Sequence, residues 1–92
     1  MEDFDWNKDK NQQLKIRHGI CFDDIMPILK KQENILDVIP HPNQEKYPNQ
    51  KMVIVEVLGY AYLVPCVKND EKIFLKTIIP SRKATKKYIT RR

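Results

Sequence analysis

Two apolar runs that meet at a single glycine constrain the fold of this chain more than any other feature. Residues 52–58 and 60–67 are rich in Val, Ile, Leu and Tyr, and Gly59 lies between them. β-Branched and aromatic residues favour strands, and Gly59–Tyr60 suits the type II′ turn of a tight hairpin. Because both runs are apolar on both faces, we expect these strands to be central or covered on both sides.

A short strand and a helix are predicted at the start of the chain. Residues 4–6 carry two aromatic side chains in three positions and form the strand. Asn7 is a favourable N-cap and Gly19 a favourable stop for a helix over residues 7–18. Since this helical segment contains few apolar residues, it should lie on the surface.

A second helix is predicted from apolar residues that recur at helical spacing, namely Phe22, Ile25, Met26 and Leu29. Asp23 or Asp24 would cap this helix at its N-terminal end. Pro27 then falls in or next to the first turn, where its missing N–H is least costly.

The remaining segments alternate between strands and turns. A short strand is predicted over residues 35–39, and a rigid two-turn loop follows in which the triplet Pro-Asn-Gln occurs twice. The last strand of the meander covers residues 73–79. Pro65 has no N–H to donate, so it should lie at a bulge or a free edge. Ser81 caps a final, basic helix over residues 82–92.

This order of elements predicts an α+β fold, with two N-terminal helices and one C-terminal helix on an antiparallel sheet of about four strands. The 92 residues, of which 41% are apolar and 32% charged, suffice for a single domain over 1–92 with one modest core. No apolar run approaches the roughly 18–20 residues of a membrane span, and the acidic start lacks a signal-peptide core. We expect a soluble cytoplasmic protein that does not contact a membrane.

Cys21 and Cys66 are the two cysteines of the chain, and neither belongs to a CxxC pair. This spacing excludes a zinc knuckle. We expect two half-buried free thiols, the alternatives being one disulfide or a catalytic thiol.

Positive charge is concentrated at the C-terminal end. Residues 1–46 hold seven Lys and Arg against nine Asp and Glu, and residues 47–92 hold ten against three. The last 17 residues, 76–92, contain seven cations and no acid. Closely spaced cations favour a polyanionic partner, either a nucleic acid or an acidic protein. A solvated basic tail is the alternative interpretation.

Two blocks of residues resemble the opening and closing segments of a known protein family. The opening block reads F-D-W-N-x-x-K over residues 4–10 and continues as R-H-G-I-x-F over residues 17–22. The closing block reads I-x-S-R-K-A-T-K-K over residues 79–87. Together, and at this separation, they are similar to the BrnT family of small toxins from bacterial type II toxin–antitoxin systems, and the likeness covers nearly the whole chain.

The resemblance implies a RelE-like ribonuclease toxin that cleaves RNA and inhibits translation. It also implies a cognate antitoxin that neutralises the toxin, represses the operon and forms a hetero-oligomer with it. The family commonly has an acidic residue near the middle of its last helix, where this chain has Lys87 or Tyr88.

Three residues are candidates for the chemistry of RNA cleavage, which requires an aligned phosphate, charge stabilisation and proton transfer. Arg82, at a strand-to-helix junction, can hold a phosphate with two hydrogen bonds, or it is a solvated helix charge. His18 is a candidate acid or base, because imidazole is the commonest general acid or base in enzymes, or it caps a helix C-terminus. Tyr88 is a candidate for base stacking or proton transfer, or it packs in the core.

No metal-ligand spacing is visible in the sequence, so a metal-free mechanism without a cofactor is the simpler expectation. Candidate contacts to nucleic acid are the basic residues Lys10, Lys76, Lys83, Lys86, Lys87 and Arg91. Of these, Lys76 either lines a site or snorkels at the rim of the sheet. The alternative functions are a non-catalytic nucleic-acid-binding or regulatory module of an operon, and a scaffold whose basic surface docks an acidic protein.

Overall fold

The computed structural model describes residues 3–69 and 71–90. The strands are β1 (Asp3–Trp6), β2 (Ile35–Pro40), β3 (Gln50–Val57), β4 (Tyr60–Asn69), β5 (Lys72–Leu75) and β6 (Ile79–Pro80). The helices are α1 (Lys8–His18), α2 (Phe22–Lys31) and a C-terminal helix, which consists of the α-helical turn α3 (Arg82–Ala84) and the π-helical segment Thr85–Thr90. None of the helices in the described part of the chain is long and apolar enough to cross a bilayer.

The six strands form one mixed sheet in the order β1-β5-β4-β3-β2, with β6 also paired to β4. The α+β class is therefore confirmed, whereas the predicted antiparallel sheet of about four strands is wrong in two respects. β1 joins the sheet parallel to β5, and the predicted strand over residues 73–79 is divided into β5 and β6. A sequence pattern with a period of two identifies a strand but does not give the direction of its neighbour.

The division between β5 and β6 lies opposite Pro65. On β4, Leu63 pairs with β6 and Cys66 pairs with β5. The two β4 residues between them, Val64 and Pro65, therefore face the three residues 76–78. The amide of Lys76 donates to the carbonyl of Pro65 at 2.8 Å. Because the N–H and C=O of one strand residue point to the same edge, the missing N–H of Pro65 also faces this irregularity. Pro65, which is predicted to lie at a bulge or a free edge, thus lies opposite a bulge-like gap between two partner strands.

One face of the sheet, which we call the α1/α2 face, is covered by the first two helices. Trp6 belongs to this core and stacks on Phe22 with ring centroids 5.7 Å apart. The cluster joins side chains from both helices to side chains from the central strands, and its buried members are Leu14, Ile20, Phe22, Ile25, Leu29, Val55, Val64, Cys66, Leu75 and Ile78.

The opposite face, which we call the C-terminal face, carries the C-terminal helix. Ala84 of this helix is buried against Ile54 and Ala61. Partly buried residues extend this smaller cluster, namely Leu36, Ile39, Leu63, Tyr88 and Ile89. Since alternate residues of a strand point to opposite faces, β3 contributes Val55 to one core and Ile54 to the other. The expectation that the central strands are covered on both sides is confirmed.

The helix ends follow from local hydrogen bonds. The Asn7 side chain accepts from the amide of Lys10, and Gly19 ends α1 with a φ of 71°, as predicted. α2 starts earlier than predicted, because Cys21 and not an aspartate is its N-cap. Pro27 consequently lies inside the helix, beyond its first turn.

The β3–β4 hairpin turns one residue earlier than predicted. Its two central residues are Leu58, with a φ of 51°, and Gly59, with a φ of 80°. Two consecutive positive φ angles are the signature of a type I′ turn and not of a type II′ turn at Gly59–Tyr60. Leu58 is fully exposed in this position.

Both thiols are free, as expected, and they are buried and not half-buried. Cys66 lies in the core of the α1/α2 face. Burial raises the pKa of the Cys66 thiol, and the charge of Lys51 opposes this shift. A thiol held in its neutral form packs as a small apolar side chain.

Candidate nucleic-acid interface

The junction between β6 and the C-terminal helix is fixed by hydrogen bonds of Ser81. The Ser81 hydroxyl accepts from the amide of Ala84 at 3.0 Å, which caps the helix as predicted. The Ser81 amide donates to the carbonyl of Ala61 at 3.0 Å. The start of the helix is thereby tied to the beginning of β4.

Thr85 adds a second connection at the same place. Its hydroxyl accepts from the amide of Ala61 at 2.9 Å and donates to the carbonyl of Ser81 at 2.8 Å. Ala61 is fully buried, so its amide depends on the Thr85 hydroxyl as its hydrogen-bond acceptor. The backbone that carries the neighbouring cations is therefore held rigidly against the sheet.

Replacing Thr85 with valine tests this connection. Thr85→Val keeps the side-chain shape but leaves the buried Ala61 amide without its acceptor, so we expect a loss of about 1–3 kcal/mol in the free energy of unfolding. Urea denaturation measures the change. Thr85→Ser keeps the hydroxyl and serves as the control. Equal midpoints for these two variants would show that the hydrogen bond does not stabilise the junction.

Four predicted cations lie exposed on the C-terminal helix, namely Arg82, Lys83, Lys86 and Lys87. Lys87 places its Nζ 5.1 Å from the ring centroid of Tyr88. Lys76 is also exposed, in the irregular segment between β5 and β6, with its Nζ 5.8 Å from the ring centroid of Phe74. The structure thus presents a row of cations to solvent along one short helix that is anchored at its first turn.

Tyr88 lies on the other side of the same helix and contacts the edge strand β2. Its hydroxyl donates to Asp37 Oδ2 at 2.8 Å, and its ring packs in the cluster of the C-terminal face. Asp37 Oδ1 in turn accepts from the amide of Val38 at 2.8 Å. Asp37 is a site residue that sequence reasoning missed, because its partner is 51 residues away.

One feature of the sequence could have indicated Asp37. It is the single charged residue in an otherwise apolar strand, Ile35–Pro40. The ladder is irregular between Ile35 and Asp37. Such a bulge can re-aim the side chains that follow it, and the carboxylate of Asp37 contacts the helix that carries the cations. The structure therefore adds a tyrosine–carboxylate pair to the cationic row.

Glu56 is a second carboxylate at this end of the sheet. It is half-buried and its Cα pairs with that of Ala61 across the β3–β4 ladder. Directly opposite residues of an antiparallel pair share a face, so Glu56 lies on the C-terminal face near the anchored junction.

The other predicted site residues are more distant in the fold. His18 is exposed at the end of α1, in the helical layer on the opposite side of the sheet from Arg82. Lys10 is half-buried in the first part of α1. Arg91 lies outside the described residues. Arg82 and Tyr88 thus belong to one helix, whereas His18 and Lys10 belong to another layer.

Within residues 3–69 and 71–90, no group of three or more His, Cys, Asp or Glu side chains is arranged to hold a metal ion. No family model matches the chain, and no curated protein or solved structure matches it at a significant level. The assignment of function therefore depends on the geometry of the residues described above and on the two sequence blocks.

Proposed function

We propose that this protein is the toxin component of a bacterial type II toxin–antitoxin pair and acts as a metal-independent endoribonuclease of the BrnT type. The observation that supports this most is the exposed row of cations at a rigid strand-to-helix junction, in a segment, residues 76–92, that contains no acid. An α+β sheet with a C-terminal helix across one face is compatible with a RelE-like arrangement.

Arg82 binds the scissile phosphate in this proposal. It is exposed at the first helical position after Ser81, and its planar guanidinium can donate two parallel hydrogen bonds to phosphate oxygens. Negative charge accumulates on those oxygens when phosphorus becomes five-coordinate. A cation fixed in place before the reaction stabilises that charge without reorganisation. Lys83, Lys86 and Lys87 bind neighbouring phosphates and supply affinity without sequence preference.

Tyr88 and Asp37 supply the proton transfer. Arg82 and Tyr88 are six positions apart on the same helix, which corresponds to at most about 9 Å along its axis. The ribose 2′-hydroxyl gives its proton to the phenolic oxygen of Tyr88 while Tyr88 passes its own proton to Asp37. The 2′-oxygen bonds to phosphorus, the bond to the 5′-oxygen breaks, and the proton returns to that leaving oxygen. His18 is the alternative acid or base.

A cognate antitoxin completes the proposal. A protein that neutralises this toxin would cover the cationic helix, so an acidic partner that forms a hetero-oligomer with it is expected. A small acidic or ribbon-helix-helix-like protein encoded next to this chain would fit that role.

Expression in a bacterial host and incubation with RNA test the proposed function together. We expect expression alone to arrest growth, co-expression of the antitoxin to restore it, and the purified protein to degrade single-stranded RNA in the presence of EDTA. Salt-dependent binding without cleavage would instead identify a non-catalytic module of an operon. Absence of binding to RNA at low ionic strength would contradict the proposal.

A further inference from the structure

An apolar groove crosses the α1/α2 face beside the C-terminal end of α2. Its volume is about 450 Å³, and Leu29 and Gln32 form the wall on the side of the helix. The floor takes one residue from each of five strands, namely Phe4, Val38, Val53, Cys66 and Leu75. Val38 is 51% exposed on the edge strand β2, so the groove opens to solvent there. The end of α2 thus leaves a strip of this face uncovered.

The dimensions of the groove fit one helix. Neighbouring strands lie about 4.8 Å apart, so a path across five strands is about 19 Å long. A helix of about 13 residues has this length. Apolar side chains that recur at positions i, i+3, i+4 and i+7 form one face of such a helix, and helices of this kind bind apolar grooves in many complexes.

The free edge of β2 favours a helix over an added strand. The amide of His41 donates to the carbonyl of Gln50, and N–H groups alternate in direction along a strand, so those of residues 38 and 40 point away from β3. The Val38 amide already donates to Asp37 Oδ1 at 2.8 Å, and Pro40 has no N–H. This edge therefore offers few donors to a partner that pairs as a strand.

Lysines flank the groove. Lys51 is exposed, and its Cα pairs with that of Cys66 on the groove floor. Burial raises the pKa of the Cys66 thiol and the charge of Lys51 opposes this shift, so the ammonium group lies near the floor. Lys30 and Lys31, both exposed, end α2 at the other wall. Glu33 follows them and offsets one of these charges. The positive balance favours an acidic partner.

We propose that this groove binds an acidic amphipathic helix of the antitoxin. The inference rests on the proposed function and names a second surface that its partner contacts. Asp37 and Val38 are consecutive on β2 and lie on opposite faces of the sheet. A chain that leaves the groove at Val38 therefore reaches the C-terminal helix around the edge of β2, where Tyr88 contacts Asp37.

Fluorescence anisotropy with a labelled synthetic peptide tests the inference. The probe has about 13 residues, with leucines on one helical face and glutamate at the other positions. One control peptide carries lysine in place of glutamate, and another has the composition of the probe but leucines on all sides. We expect both controls to bind at least about 10-fold more weakly than the probe, the equivalent of one buried apolar side chain.

Two variants locate the binding site in the groove. Val38→Asp places a charge against the leucines and should weaken binding of the probe about 10-fold. Lys51→Glu should weaken binding of the probe and strengthen binding of the lysine peptide, each by about 2- to 5-fold. Both positions are exposed, so the fold should be retained, and the urea midpoint checks this.

Ile16→Asp and Arg17→Glu are the matched controls. Both residues are exposed near the end of α1, which leads into the start of α2, whereas the groove lies at the other end of α2. We expect both variants to bind the probe like the wild type. Equal affinities of Val38→Asp and Ile16→Asp, or equal affinities of the wild type for the three peptides, would overturn the inference.

Cleavage and binding of RNA, measured on the same preparations, separate this inference from the proposed function. A wild type that cleaves RNA but does not bind the probe would overturn the inference alone. A Lys51→Glu variant that binds RNA more weakly and the probe normally would assign the groove to RNA and would also overturn it. Binding of the probe through Val38 and Lys51 by a protein that cleaves no RNA would support a helix-binding groove and contradict the proposed function.

Discussion

Arg82→Ala is expected to lower the rate of RNA cleavage by about 10²- to 10³-fold, the loss typical of removing one group that stabilises transition-state charge. The variant should also bind RNA less tightly, because one phosphate contact is lost. Its fold should be unaffected, since Arg82 is exposed and the cap hydrogen bonds belong to Ser81 and Thr85. Single-turnover cleavage of labelled RNA measures the rate, and expression of the variant should no longer arrest growth.

Two further variants define what Arg82 contributes. Arg82→Lys keeps the charge but not the planar pair of donors, so its rate should fall between those of the wild type and Arg82→Ala. Arg17→Ala removes an exposed cation from α1, on the other side of the sheet, and should cleave RNA at the wild-type rate. If Arg17→Ala and Arg82→Ala reduced cleavage equally, the effect would come from net charge. Binding of the scissile phosphate by Arg82 would then be refuted.

Tyr88→Phe is expected to lower the cleavage rate by about 10²-fold or more, because general acid–base groups contribute that much. Unlike Arg82→Ala, it should leave RNA affinity unchanged, since it removes a proton-transfer group and not a cation. Loss of the hydrogen bond to Asp37 should cost about 1 kcal/mol of stability, which urea denaturation can detect separately. Rate, affinity and stability measured on one preparation thus distinguish catalysis from a structural role.

Two carboxamide variants determine which carboxylate assists Tyr88. Asp37→Asn should reduce cleavage as Tyr88→Phe does, because its carboxylate accepts the Tyr88 hydroxyl at 2.8 Å. Glu56→Gln should cleave RNA at the wild-type rate. If Glu56→Gln were inactive and Asp37→Asn active, the proton would move through Glu56, and the assignment of Tyr88 and Asp37 would be wrong.

Local sequence patterns were sufficient to predict those structural features that depend on residues close in the chain. The sequence predicts Asn7 and Ser81 as N-caps, because a cap is a contact over three residues. The long central hairpin followed from its apolar runs, and the bulge at Pro65 followed from its missing N–H. In each case the determining interaction lies within the segment itself or in its immediate partner strand.

Contacts between segments that are distant in the sequence could not be predicted from local patterns. The parallel pairing of β1 with β5 joins residues about 70 positions apart, and no local pattern records the direction of a partner strand. The pairing of Tyr88 with Asp37 depends on where the C-terminal helix crosses the sheet. Leu58 occupies a left-handed turn position that favours Asn or Gly, so local propensity predicted the turn one residue late.

The ends of the RNA fragments test the central claim most directly. RNA labelled at its 5′ end is incubated with the purified protein and with Arg82→Ala, both in EDTA, and the fragments are analysed for their terminal groups. We predict fragments that end in a 2′,3′-cyclic phosphate, with matching 5′-hydroxyl ends, from the wild type and almost none from the variant. Intact RNA in the wild-type reaction, or fragments with 3′-hydroxyl and 5′-phosphate ends, would contradict the account.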